Sequence, residues 1–149
     1  MRPLSSLLQE YSESHQHPQN IRIHWICVPL IFLSITGFLF LIELPAFGNL
    51  AILTLLLLTI YYVLLSKTLW VGLLAWGMVC LFIDFYLHLH FYEDRFTLFG
   101  TVFVGAWIGQ FFGHKIEGKK PSFLKDLQFL LIGPAWLMVK LYRKAGIPV

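Results

Sequence analysis

Four apolar runs, each close to the length of a bilayer-spanning helix, constrain this chain more than any other feature. A hydrocarbon core of about 30 Å needs about 20 apolar residues at a rise of about 1.5 Å each. The runs extend from about His24 to Ile42, from Leu50 to Leu65, from Leu69 to Tyr86, and from Thr97 to Gly113 and His114. Turn-forming or charged residues separate them, namely Glu43 to Pro45 with Gly48-Asn49, and then Glu93-Asp94-Arg95. Only 13% of the chain is charged and 58% is hydrophobic, against about 25% charged in soluble domains. A water-soluble fold has no place for this much apolar helix. The expected fold class is therefore an all-α integral membrane protein with about four transmembrane helices, one membrane-embedded domain over residues 1–149.

The flanking segments differ from the runs. Residues 3–14 place Leu4, Leu7, Leu8 and Tyr11 at helical spacing, which predicts an N-terminal amphipathic helix lying against the headgroups. The stretch from Leu127 to Val139 is too short to span and is interrupted by Gly133-Pro134. That pattern predicts a C-terminal re-entrant or interfacial helical hairpin. The polar start with Glu10 and Glu13 lacks the apolar core and small-residue cleavage site of a secretory signal, so the first run is expected to stay in the mature protein. Cys27 and Cys80 sit inside apolar runs, where a thiol behaves as a small hydrophobe, and neither a disulfide nor a zinc ribbon is indicated.

Basic residues orient the bundle. With the N-terminus inside and four crossings, one side holds Arg2, Arg22, Lys67, Lys115, Lys119, Lys120, Lys125, Lys140, Arg143 and Lys144, and the other holds Arg95 alone. The positive-inside rule then puts both termini in the cytoplasm, in a bacterial inner membrane or, for a eukaryotic source, the endoplasmic reticulum. The formal charge of +3 belongs to that asymmetry, so membrane lipids rather than nucleic acid are the expected surroundings. This topology also gathers His15, His17, Asn20 and His24, at the entrance of the first spanning helix, on the same face as His114 and Glu117, at the exit of the fourth.

Three constellations carry possible chemistry. In Tyr11-x3-His15-x-His17-Pro18-x-Asn20-x3-His24, Pro18 fits a first helical turn and Asn20 and His24 then share a face. In Trp107-x2-Gln110-x3-His114-x2-Glu117, the first three fall on one helical stripe. A Gln and a His in an apolar helix are costly unless paired, so that stripe is expected to line a polar cavity. Gly105, Gly109 and Gly113 form a neighbouring ladder suited to close helix packing. Asp84-x3-His88-x-His90 lies at the opposite membrane face, where a structural or solvent-exposed role is expected, with Asp84 and His88 placed to pair.

Several imidazoles with a carboxylate at a membrane face suit iron or zinc, and a nitrogen-oxygen site with open positions suits non-haem Fe(II) oxygen chemistry. Spacing alone does not separate the two metals. The six histidines form neither the HxxxH nor the HxxHH boxes of di-iron desaturases. No convincing Ser-His-Asp set, Gly-rich phosphate loop or CxxC is present. A haem protein and a non-enzymatic scaffold or metal carrier remain as alternatives, though a carrier needs a polar path that the chain between His24 and Leu65 does not offer.

The entrance motif Tyr11-His15-Pro18-Asn20-His24 with Val28-Pro29, then Trp107-x2-Gln110-Phe111-x-Gly113-His114, Glu117, Pro121 and Gly133-Pro134 together resemble the Mpo-type 2-hydroxy fatty acid dioxygenases over nearly the whole chain. The resemblance implies an Fe(II)-dependent membrane enzyme with O2 as co-substrate, removing the carboxyl carbon of a 2-hydroxy fatty acid. In the fungal members this serves phytosphingosine breakdown. It further implies His15, His24 and His114 as metal ligands and Gln110, Asn20 and Glu117 as catalytic-site residues, Glu117 either on the metal or behind a ligand. Apart from the resemblance, Arg22, Lys115 and Lys119 are candidates to pair with the substrate carboxylate or, equally, anchors on the positive-inside face. The chain departs from the pattern in having two residues rather than three between His114 and Glu117, in Lys140 where several relatives carry Glu, and in His17 where many carry Asn.

Overall fold

The computed structural model describes residues 3–118 and 129–149, and six α-helices and one short β-ladder lie among them. The helices are α1 (Leu4–Ser12), α2 (Pro18–Phe40), α3 (Leu50–Leu65), α4 (Leu69–His90), α5 (Arg95–Ile116) and α6 (Ile132–Lys144). Between α2 and α3, strand β1 (Glu43–Leu44) pairs antiparallel with β2 (Gly48–Asn49), so that Glu43 faces Asn49. Gly48 takes a positive φ of 78° in this tight turn, which a glycine adopts without a Cβ penalty. Asn49 Oδ1 then accepts the N–H of Ile52 and starts α3. Arg2, Lys119, Lys120, Pro121, Lys125 and the beginning of the Leu127–Val139 stretch lie outside the described residues.

Among the described residues three helices are long and apolar enough to cross a bilayer, α2, α4 and α5, of 23, 22 and 22 residues, the pattern of a membrane protein. Each extends about 33 Å or slightly more. The expected fourth span, α3, has the bounds its apolar run predicts, but its 16 residues reach only about 24 Å. Leu57, Ile60 and Leu64 on α3, Phe82 on α4 and Ile108 and Phe112 on α5 are all more than half exposed. That apolar exterior matches hydrocarbon rather than water.

Helices α2 and α5 run antiparallel and make the most extensive helix contact. A Cβ on Gly113 would strike Asn20, one on Gly109 would meet Cys27 Sγ, and at the other end one on Gly37 would strike Phe99. Gly109 and Gly113 thus let the backbones approach, as a small-residue ladder predicts. Gly105 does not take part and has open space beside it. Each step of four residues turns about 40° past a full helical turn, and two steps carry Gly105 off the contact line.

At one end of the bundle α1 and α6 lie across α2, α3 and α4. Tyr11, Val28, Ile132, Trp136 and Leu137 form one buried cluster, and Tyr62, Leu69, Leu73, Ala135 and Val139 form another. Trp136 Nε1–H donates to Ser12 Oγ at 2.8 Å, Tyr62 Oη–H to the Leu131 carbonyl at 2.7 Å, and Tyr142 Oη accepts from the Gly72 N–H at 2.9 Å. Gly133-Pro134 does not break this segment into a hairpin among the described residues. Both sit in the first turn of α6, where a backbone N–H has no intrahelical partner and proline is tolerated.

Candidate metal centre

The cap made by α1 and α6 turns the chain at Ser12–His17 inward, and this brings His15 over the N-terminal end of α2. The ring of His15 stacks on Tyr11, with centroids 4.1 Å apart and planes at 11°. Its Nδ1 lies 2.6 Å from the Tyr11 carbonyl oxygen. His24 stands one turn after Asn20 and places its Nδ1 3.0 Å from the Asn20 carbonyl. A carbonyl only accepts, so in both rings the proton is on Nδ1 and Nε2 carries the lone pair. His114 comes from the last turn of α5.

The three rings form a triangle with centroids 4.2, 5.1 and 5.1 Å apart. One ligand atom from each lies within 4.8 Å of the others, and all three residues are buried. Two nitrogens bound at about 2.1 Å to one ion stand at most about 4.2 Å apart, so small ring rotations close this set around a metal. His15 Nε2 is buried with no hydrogen-bond partner among the described residues, as a ligand atom awaiting an ion is. The donor set fits a borderline metal such as iron or zinc.

Burial pushes His15 down to about 4, the bond to the Tyr11 carbonyl opposing this and His114 adding to it. The ring is therefore neutral and able to ligate at pH 7. Its folded-state value lies below the ordinary 6.5, so the folded protein holds fewer protons than the unfolded chain between the two. The stability this neutral ring contributes is intact above pH 6.5 and is lost as pH falls toward 4, by about 3 kcal/mol at about 1.4 kcal/mol per unit. Unfolding of metal-free protein in detergent, followed at pH 7 and pH 4.5, should show that decline, and His15→Gln should flatten it. An equal decline in both proteins would assign it to another group.

Glu117 follows α5 and does not belong to the donor group. Its Oε1 accepts the Gln16 N–H at 2.8 Å, and its Oε2 accepts the His17 N–H at 2.8 Å and Asn20 Nδ2–H at 3.0 Å. Burial pushes the carboxyl up, but these three donors outweigh it and hold Glu117 below the usual carboxylate range. Asn20, fully buried, also donates to the Ser14 carbonyl at 3.1 Å. Glu117 and Asn20 together fasten the turn that carries His15 to the helix end that carries His114.

Gln110 is buried one turn before His114 and lines a cavity of about 20 Å³ with Tyr11, Ile31, Trp107 and Gly133. That is room for about one water. His17 is exposed and serves as the N-cap of α2, its Nδ1 accepting the Gln19 N–H. His88 and His90 remain at the far end. Arg95 Nη1 donates to His88 Nδ1 at 2.6 Å and its guanidinium sits 3.7 Å over Tyr92, so His88 is engaged there rather than by Asp84. From Arg95 to His114 along α5 is about 28 Å, which separates the two ends.

Sequence reasoning missed Trp136. Its ring centroid lies 5.3 Å from that of His15, and Lys140 Nζ lies 3.8 Å over the Trp136 ring. The only signal in the sequence is a Trp and a Lys four residues apart in a short helix, which one face of that helix would present together.

A family model described as "2-hydroxy-palmitic acid dioxygenase Mpo1-like" matches residues 1–145. The 2-hydroxy-palmitic acid dioxygenase MPO1 of Saccharomyces cerevisiae is 32% identical over 145 residues, covering 96% of this chain and 82% of the yeast protein. No solved structure matches.

Proposed function

This chain belongs to the Mpo1-like family, and from that premise we propose that it is an Fe(II)-dependent dioxygenase that converts a 2-hydroxy long-chain fatty acid to the acid one carbon shorter. The observation that carries the reading is the buried triangle of His15, His24 and His114, with ligand atoms within 4.8 Å of one another, at the end of a membrane bundle. The reaction balances without an outside reductant: R–CHOH–COOH and O2 give R–COOH, CO2 and H2O. The C1–C2 bond breaks, C2 is oxidised to a carboxyl, C1 leaves as CO2, and O2 takes the four electrons.

Fe(II) held by three imidazoles would supply open coordination positions and redox capacity for oxygen chemistry. The rest falls to the chain. Glu117 and Asn20 keep the His15 turn in place, and Gln110, with an amide that both donates and accepts, would hold the polar head of the substrate or the oxygen. Val28 lines both the cavity at Gln110 and an apolar groove of about 200 Å³ that includes Trp25, Pro29, Trp76, Leu137 and Met138. That groove would receive the acyl chain from the surrounding lipid. Arg22, Lys115 and the other basic residues at this end would face the cytoplasm with both termini.

The test is product identity. Anaerobically purified protein loaded with Fe(II) and given 2-hydroxypalmitate and O2 should release pentadecanoic acid and CO2 in equal amounts. Absence of the shortened acid, or equal yield without O2, would refute the dioxygenase reading.

A further inference from the structure

An open groove of about 490 Å³ lies between α1 and α6, on the side of His15 away from the bundle interior. Ser5, Gln9 and Ser12 line it from α1, and Trp136, Lys140 and Arg143 line it from α6. Both sets have the i, i+4, i+7 spacing of one helix face. Ser12 meets Trp136 through the indole hydrogen bond at 2.8 Å, so the two faces run antiparallel from His15 outward to Ser5 and Arg143. We propose that this groove binds the carboxylate of the acid substrate, with Lys140 as its ionic partner beside His15 and Arg143 at the outer end. The inference deepens the dioxygenase reading and rests on it for the identity of the anion.

Charge, burial and placement carry it. Among the described residues that line the groove, Lys140 and Arg143 are the only ions and both are cations. Lys140 is not a headgroup anchor free in water. It is half-buried, its Nζ lies 3.8 Å over the Trp136 ring, and that ring in turn lies 5.3 Å from His15. Cation–π contact fixes the ammonium without using up its hydrogen-bond donors. Burial and the neighbouring Arg143 both disfavour the ammonium, a penalty that a bound anion removes. Ser12 and Gln9 add neutral polar groups along the same wall. His15 is the shared boundary between groove and metal centre, so an acid whose tail lies on the bundle side of the histidines presents its carboxylate to Lys140 and keeps its C2 next to them.

A fatty acid carboxylate and the phosphate of an anionic lipid share this chemistry, and the experiment separates them. Metal-free full-length protein in a neutral detergent is titrated with 2-hydroxypalmitate and with 1,2-hexadecanediol, which lacks the carboxylate. The acid should bind about tenfold or more tightly than the diol, as a charge-assisted contact predicts. Lys140→Gln should abolish that preference with diol binding unchanged, Lys140→Arg should keep it, and Arg143→Gln should weaken it less. The preference should also persist when phosphatidylglycerol is added. Equal acid affinity in wild type and Lys140→Gln overturns the proposal, as does loss of the acid's preference when phosphatidylglycerol is added, which would assign the groove to a lipid phosphate. Should Lys140→Gln not fold, absence of any acid-over-diol preference in the wild type overturns it equally. Because no turnover is involved, Lys140-dependent binding without chain shortening would refute the reaction alone. Shortening with an unchanged KM in Lys140→Gln would refute the groove alone.

Discussion

His114→Ala protein is expected to be extracted as a folded species that holds no iron after anaerobic loading and desalting, measured by elemental analysis against stoichiometric iron in the wild type. The argument is one of ligand number. Three imidazoles are the whole donor group among the described residues, and a pair of imidazoles on a mobile ion loses the closed geometry that gives affinity. His24→Ala should behave alike. The fold should survive, because the α2–α5 contact rests on Asn20 against Gly113, Cys27 against Gly109 and Phe99 against Gly37, none of which involves the His114 ring. Glu117→Ala should weaken iron binding by about 10- to 100-fold without abolishing it, the range for groups that hold ligands in place. His90→Ala should keep its iron, since His90 bonds to the Tyr86 carbonyl and stacks on Tyr86 at the far end. Full retention of iron by His114→Ala would remove the centre as a metal site.

The parts of this arrangement that rest on long apolar periodicity were legible in the sequence. The run from Leu50 to Leu65 coincides with α3, and the charged turn at Glu93-Asp94-Arg95 separates α4 from α5. The convergence of His15, His24 and His114 followed from counting crossings. What was hidden depends on contacts between distant segments. Glu117 reads as one more carboxylate beside a histidine, and nothing in its spacing shows that it accepts the backbone N–H groups of Gln16 and His17. Gly133-Pro134 reads as a break because the dipeptide alone does not distinguish a helix start, where proline is tolerated, from a helix interior, where it is not. In the structure the pair opens α6, with Gly133 packed close to Tyr11 and Val28. The groove beside His15 escaped notice because it belongs to neither α1 nor α6 alone.

Among substrates, the largest discrimination should fall on the 2-hydroxyl group. The Fe(II)-loaded protein should shorten 2-hydroxypalmitate and leave palmitate unreacted, a difference of at least about a hundredfold in turnover, while palmitate competes as an inhibitor. The acids share a carboxylate and a tail, so both should enter. They differ in whether the head group offers one anchoring point or two. With two, rotation about C1–C2 is frozen and the bond to be broken is held next to the reacting oxygen; with one, C2 swings away, and a misplacement of about 1 Å is enough for a hundredfold loss. Gln110 supplies the chain's share of that ordering. It is buried one turn from His114 in a cavity with room for about one water, where its amide joins the Tyr11 and Trp107 side chains as a polar group that a hydroxyl or an oxygen molecule would meet. Gln110→Leu, close in volume and unable to hydrogen-bond, should therefore cut turnover of 2-hydroxypalmitate by about tenfold or more while iron content stays at the wild-type level. Loss of iron in step with activity would make Gln110 a support for the ligands instead. Equal conversion of both acids by the wild type would show that the hydroxyl does not order the substrate at all.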